Sequence, residues 1–153
     1  MAEAATQQTP TEALIATLDL PQGGWSDAAR KDALSRLQQA GLPERRDEYW
    51  KYTRPDTLTQ PQAVSAAVRA SEDVALFDQI DRLKLVFVDG VFDADASDDL
   101  ALEGITIERL AQADADLHWA RDLYGTLEKN GQTPVARPLA ALNTAFAPDG
   151  VLI

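Results

Sequence analysis

The single histidine of the chain, His118, is the first residue whose type could carry chemistry. Asp114 and Asp122 each stand four residues from it, so a helix through this segment would place the three side chains near one another. Imidazole and carboxylate groups are both zinc ligands. Two or three such ligands without thiolates or further histidines hold a metal weakly. We therefore interpret His118 as a surface histidine in an acidic environment.

A group of carboxylates near residue 90 has the alternating spacing of a calcium loop. Its members are Asp89, Asp93, Asp95, Asp98 and Asp99. The segment lacks the central glycine and the terminal glutamate of such a loop, so we predict a solvated loop. The sequence also contains neither a Gly-x-Ser-x-Gly nucleophile elbow nor a Gly-x-x-x-x-Gly-Lys-Ser/Thr phosphate loop. No residue is assigned a catalytic role.

The most unusual segment runs from Gly41 to Thr53 and is dense in aromatic and charged residues. Gly41 and Pro43 end the preceding helix, which fixes where this segment starts. Its candidate partner contacts are Arg45, Arg46, Trp50, Lys51 and Tyr52. The two rings suit either packing against the domain or a partner contact. The basic side chains suit either a partner or ion pairs within the segment. We predict a docking segment.

The elements before this segment are predicted to be helices. Thr9-Pro10-Thr11-Glu12 has the pattern of a capping box with proline at the first helical position. Ser26 then caps a second helix, in which Ala33, Leu34, Leu37 and Ala40 fall at helical spacing. After the docking segment, prolines interrupt the chain, and the alanine-rich stretch 62–70 favours a short helix.

The remainder of the chain mixes strands and helices. Apolar residues at 83–88 precede Asp89-Gly90, which predicts a β-hairpin. Further elements are predicted as a strand at Ile105 and Ile107, a helix over 114–130, a helix from Pro138 with Leu139, Leu142 and Phe146 on one face, and a strand at 151–153. The predicted fold class is α+β, with N-terminal helices followed by a small antiparallel sheet and packed helices.

Composition excludes several classes of function. The 153 residues include 14 basic and 25 acidic side chains, giving a formal net charge of −11 that repels nucleic acids and anionic membranes. The chain has no cysteine, so it offers neither disulfides nor thiolate ligands. No run approaches the roughly 20 apolar residues that span a bilayer. The first residues resemble neither a secretory signal nor a transit peptide, so we expect a cytoplasmic protein.

Gly-Leu-Pro at 41–43, the basic pair that follows and Trp-Lys-Tyr-Thr at 50–53 resemble the N-terminal signature of the SufD family. Three later segments are similar to that family in order and spacing. They are Leu85–Gly90, Gly104–Ile107, and Leu142–Phe146 followed by Asp149-Gly150. Tyr49 and Arg54 depart from the usual motif.

The resemblance implies a non-catalytic scaffold of iron–sulphur cluster assembly. It also implies SufB and the ATPase SufC as partners, with the cluster and ATP handled only by the full complex and no cofactor held by this part. SufD-like proteins continue into a parallel β-helix, so residues 1–153 are expected to form a single N-terminal domain cut before that helix. A weak division near residues 55–60 is a further expectation.

Two alternatives remain from the sequence. An acidic small-molecule hydrolase would need two close, desolvated carboxyl groups. A free-standing protein-interaction module would need the chain to end naturally at Ile153.

Overall fold

The computed structural model describes residues 8–61, 79–88, 90–101, 104–112, 118–126 and 135–153. Contacts group the chain into two compact units. The first combines Met1–Ala63 with Asp114–Ala147, and the second combines Val64–Ala113 with Pro148–Ile153. The single domain and the weak division near residues 55–60 stay predictions. The predicted helix at 62–70 lies outside the described residues.

The first unit begins with two helices, α1 (Pro10–Ile15) and α2 (Asp27–Ala40). The predicted capping box starts α1: the Glu12 amide donates to Thr9 Oγ1 at 3.2 Å, and the Thr9 amide donates to Glu12 Oε2 at 2.7 Å. Gly41 follows α2 with a φ of 71°, which ends the helix as predicted. The Leu42 amide then donates to Thr11 Oγ1 at 3.1 Å, which ties this corner to α1.

The core of the first unit lies where α2 packs against α4 (Pro138–Phe146). Ala33 and Leu37 of α2 are fully buried, as are Ala141 and Ala145 of α4 within a few per cent. The predicted face of Leu139, Leu142 and Phe146 is only half-buried. The contact face thus combines Leu37 of α2 with small alanine side chains of both helices, and the larger residues of α4 lie beside it.

A third helix of this unit, α3, is described over His118–Leu123, within the predicted range. Residues 124–126 form turns, and Gly125 has a φ of 71°, so the predicted helix over 114–130 is wrong at residues 124–126. A left-handed residue cannot continue a right-handed helix. The rest of that prediction, at 114–117 and 127–130, lies outside the described residues.

The second unit contains two small antiparallel pairs of strands. β1 (Phe87–Val88) pairs with β2 (Val91–Phe92), which places strands on both sides of the predicted turn. Asp89 lies outside the described residues, so the two-residue hairpin turn stays a prediction. Residues 84–86, predicted as strand, instead bond to a loop: the Lys84 amide donates to Asp98 Oδ2 and the Val86 amide to Ser97 Oγ.

The second pair joins β3 (Glu108–Arg109) to β4 (Val151–Leu152). The strand predicted at Ile105 and Ile107 is found in part: Ile105 makes an isolated β-bridge, and the β3 pair begins at the residue after Ile107. Ile107 is buried and Ile105 is exposed, so the hydrophobic alternation identified a core position next to the strand pair. Helices and small antiparallel sheets together make the fold α+β. Among the described helices, none is long and apolar enough to cross a membrane.

Candidate docking site

The Gly41–Thr53 segment is held in shape by its own turns. The Glu44 amide donates to Asp47 Oδ2 at 2.8 Å, and the Asp47 amide donates back to the Glu44 carbonyl at 3.0 Å. The Trp50 amide then donates to the Asp47 carbonyl at 2.9 Å and closes a short 3-10 turn over Glu48–Trp50. Asp47 therefore links two consecutive turns, because its carboxylate accepts from the Glu44 amide and its carbonyl accepts from the Trp50 amide.

Most of the predicted contact residues of this segment are exposed. Arg45, Arg46, Lys51 and Tyr52 all lie at the surface, and Tyr52 is 92% exposed. Lys51 Nζ lies 5.6 Å from the centre of the Tyr52 ring, within cation–π range. Trp50 differs because it is half-buried. Among the described residues, no ion pair joins Arg45 or Arg46 to the carboxylates of the segment.

The half-buried Trp50 lines a cleft of about 340 Å³ together with Tyr49 and residues 135–140. A second cleft, of about 470 Å³, lies between residues 135–138 and the end of α2. Its described lining residues are Arg36, Gln39, Ala40, Val135, Ala136, Arg137, Pro138 and Ala141. Because both clefts share residues 135–138, we call them together the α4 groove. The structure thus brings Trp50 to the groove, while the other four candidate residues lie outside its described lining.

One residue that the sequence analysis missed is Arg30, which is only 3% exposed. Its Nη1 donates to the carbonyls of Ala145 at 3.0 Å and Ala147 at 2.8 Å, and its Nε donates to Ser26 Oγ at 3.1 Å. The guanidinium therefore caps the C-terminal end of α4, where the helix dipole favours a positive charge. Its spacing from Ala33 and Leu37 puts Arg30 on the buried face of α2, a signal that could have identified it.

Tyr124 completes this buried cluster. Arg30 Cζ lies 5.5 Å from the centre of the Tyr124 ring, and the Tyr124 hydroxyl donates to the Thr144 carbonyl at 2.7 Å. Trp25 packs edge-on against the same ring at 5.6 Å. The cluster joins α2, α4 and the turn after α3. It therefore holds the C-terminal end of α4, while the N-terminal end of the same helix lines the groove.

A second missed cluster lies in the second unit, around Asp149. Arg109 binds this carboxylate through Nη2 and through Nε at 2.8 Å, while its Cζ lies 4.4 Å from the centre of the Phe92 ring. The amides of Ala111 and Gly150 donate to Asp149 Oδ1 at 3.0 and 2.9 Å. These bonds hold the turn that leads into β4.

The pKa of Asp149 reflects opposing effects. Burial raises it, but the hydrogen bond from the Ala111 amide, the bonds from Arg109 and the bond from the Gly150 amide together lower the pKa below its usual value. The pKa of Glu12 is lowered by the hydrogen bonds from Thr9, and that of Asp27 by the bond from Lys31. All three carboxyl groups are thus stabilised as anions. A general acid needs the opposite shift.

The candidate metal ligands give no assembled site. Within the described part of the chain, no three His, Cys, Asp or Glu side chains are grouped as a metal ion would require. His118 and Asp122 both belong to α3, whereas Asp114 lies outside the described residues. Ala94–Asp99 is largely exposed loop, as predicted, although Ser97 and Asp98 accept the two backbone bonds described above.

Comparison with known proteins identifies the family. Residues 21–153 match the family described as SufBD protein N-terminal region. The chain belongs to the SufBD family. A SufBD relative, the iron-sulfur cluster assembly protein SufD of Escherichia coli (strain K12), is 34% identical over 127 residues. That alignment covers 72% of this chain and 29% of the relative, so the chain spans less than a third of the SufD protein that it matches. No solved structure matches the chain.

Proposed function

We propose that this SufBD chain is the N-terminal region of a non-catalytic scaffold in the SUF system of iron–sulphur cluster assembly. The observation that carries this proposal is the family match over residues 21–153, joined to 34% identity with a SufD protein. The proposed partners of the whole protein are SufB and SufC, and the proposed location is the cytoplasm. Cluster and nucleotide chemistry would belong to those partners and to the rest of the scaffold.

The composition of this region supports a role outside the cluster chemistry. Iron–sulphur clusters are held mainly by cysteine thiolates, and the chain has none. Anaerobic reconstitution of the chain with ferrous iron and sulphide is therefore expected to leave it colourless after desalting. Stoichiometric iron and sulphide retained by the chain would contradict the proposed role.

The proposed contribution of this region is contact with a partner through Arg45, Arg46, Trp50, Lys51 and Tyr52. Support comes from the exposure of the three basic residues and of Tyr52 in a chain with a net charge of −11. Arginine and aromatic side chains are also enriched at protein interfaces.

Co-purification tests both the partners and the contact. Tagged full-length protein, co-expressed with SufB and SufC, is expected to retain both. A variant with Arg45, Arg46 and Lys51 changed to glutamate should retain less of at least one partner, because the contact would now repel an acidic surface. Lys31→Glu is the matched control, since it changes an exposed lysine of α2 that lies outside the segment. If the triple variant retains both SufB and SufC in full, these three residues do not contribute to the interface.

A further inference from the structure

The α4 groove combines an apolar floor with basic edges. Its described apolar lining includes Trp50, Val135, Pro138 and Leu139, and the charged residues of its described lining, Arg36 and Arg137, are both basic. The chain as a whole has 25 acidic and 14 basic residues, so these two described residues are opposite in charge to the protein. Glu44, Asp47 and Glu48, the acidic neighbours of Trp50, are exposed and are not among the described lining residues.

Hydrogen bonds hold the backbone on two sides of the groove. The Trp50 amide donates to the Asp47 carbonyl, and Arg30 binds the far end of α4 at the Ala145 carbonyl. A binding surface that is already ordered loses little conformational entropy on association. Tyr49 adds a ring that is 68% exposed beside the half-buried tryptophan. Tyrosine, tryptophan and arginine are the residues that most often dominate binding energy at interfaces.

We propose that the α4 groove binds an acidic peptide segment of a partner protein, with an apolar side chain against Trp50 and a carboxylate on Arg137. Charge complementarity selects this occupant, because the two arginines would repel a basic peptide, and a purely apolar peptide would offer no carboxylate to Arg137. Arg36 already shares its guanidinium with Asp32 at 3.2 Å, so Arg137 is the main cationic contact. The inference rests on the proposal that this region contacts a partner, and it names the chemistry of that partner.

Fluorescence anisotropy tests the proposal directly. The probe is a fluorescein-labelled peptide in which two leucines are flanked by glutamates, titrated with the full chain at low salt. Saturable binding is expected, and it should weaken as salt screens the charges. A peptide with glutamine in place of glutamate tests the charge, and one with serine in place of leucine tests the apolar contact. Both should bind at least about fivefold more weakly.

Variants locate the binding on the groove. Arg137→Gln is expected to weaken binding by about five- to tenfold and Trp50→Ala by about tenfold. Lys31→Gln loses the same charge from an exposed site outside the groove and should stay within about twofold of the original chain. Because Arg137 is exposed, its substitution leaves the core intact, so this variant remains informative even if Trp50→Ala is unstable.

Three results would overturn the inference. They are absence of binding up to about 1 mM chain, equal binding by Arg137→Gln, and equal binding of the glutamine peptide. A dimer in solution that Arg137→Gln dissociates would instead identify a second copy as the occupant. If SufB and SufC co-purify with the protein but the peptide does not bind, the groove proposal is refuted and the proposed function is retained. If the peptide binds but neither partner co-purifies, the proposed function is refuted and the groove proposal is retained.

Discussion

Replacing Arg30 by methionine tests whether the guanidinium cap holds the helical unit together. Methionine keeps a long unbranched side chain but removes every donor. The Ala145 carbonyl would lose its donor in a buried position, which costs about 1–3 kcal/mol. The buried Ser26 hydroxyl and the partly buried Ala147 carbonyl would lose theirs for about 1 kcal/mol each. Burial of an apolar side chain in place of a charged group returns about 1–2 kcal/mol. The net expected loss is about 1–4 kcal/mol.

Urea unfolding followed by tryptophan fluorescence measures this loss, because Trp25 packs against the Arg30 partner Tyr124. The unfolding midpoint should fall while the denaturant slope stays unchanged. Arg30→Lys keeps the charge but cannot bond all three acceptors at once, so it should lose about half as much. Lys31→Met is the matched control, since it removes an exposed charge of the same helix, and a surface ion pair such as that with Asp27 contributes little to stability.

An unfolding free energy of Arg30→Met within about 0.5 kcal/mol of the original chain would refute the claim that the Arg30 cap stabilises the unit. It would mean that the cost of desolvating the buried guanidinium cancels the gain from its three hydrogen bonds, as occurs for some buried charges. A double-mutant cycle with Tyr124→Leu separates the contributions, because this change removes the ring that faces the guanidinium. Arg30 Cζ lies 5.5 Å from the centre of that ring, so the two losses should couple by about 0.5–1.5 kcal/mol.

Three further stability predictions follow from other parts of the fold. Asp149→Asn should lower the unfolding free energy by about 1–3 kcal/mol at pH 7 through loss of the Arg109 ion pair, and chemical denaturation measures it. Because the pKa of Asp149 is lowered in the folded protein, this carboxylate contributes its full stabilisation above about pH 4 and loses it as the pH falls through the folded pKa. The difference in unfolding free energy between the original chain and Asp149→Asn should therefore shrink at pH 3, and an unchanged difference would contradict this. Gly125→Ala should lower the unfolding free energy, measured by thermal unfolding, by about 1 kcal/mol more than Gly23→Ala does. Both residues have positive φ, but only at Gly125 would the new methyl group lie against another side chain, 3.0 Å from Thr144 Cγ2, so equal losses would refute the packing argument. Thr9→Ala should cost about 1 kcal/mol and reduce helicity by circular dichroism, and an unchanged spectrum and midpoint would show that the capping box adds nothing.

Local chain signals predicted the helix boundaries best. The capping box at Thr9 and the glycine after α2 each act within one turn, so their effect does not depend on distant packing. Gly125 is a signal of the same kind, and it lies inside the stretch 114–130 for which the sequence predicts a single helix. Its positive φ shows that backbone conformation, and not side-chain periodicity, ends α3.

Long-range contacts explain what the sequence did not predict. Arg30 reaches carbonyls more than a hundred residues away, and Asp149 meets Arg109 across a strand pair, so neither role is visible before the fold is known. The α4 groove likewise joins Trp50 to residues near Arg137. The aromatic segment itself could be identified from composition, but its division into an exposed basic part and a half-buried tryptophan required the structure.

Complementation is the most direct test of the proposed scaffold role. The full-length protein would be expressed in an Escherichia coli strain that lacks SufD and depends on the SUF system, and the activity of an iron–sulphur enzyme would be measured in extracts. The proposal predicts that activity returns with the full-length protein and stays absent when its region corresponding to residues 21–153 is deleted. Activity that fails to return, although the protein is soluble and co-expressed with its own SufB and SufC, would contradict the proposed function.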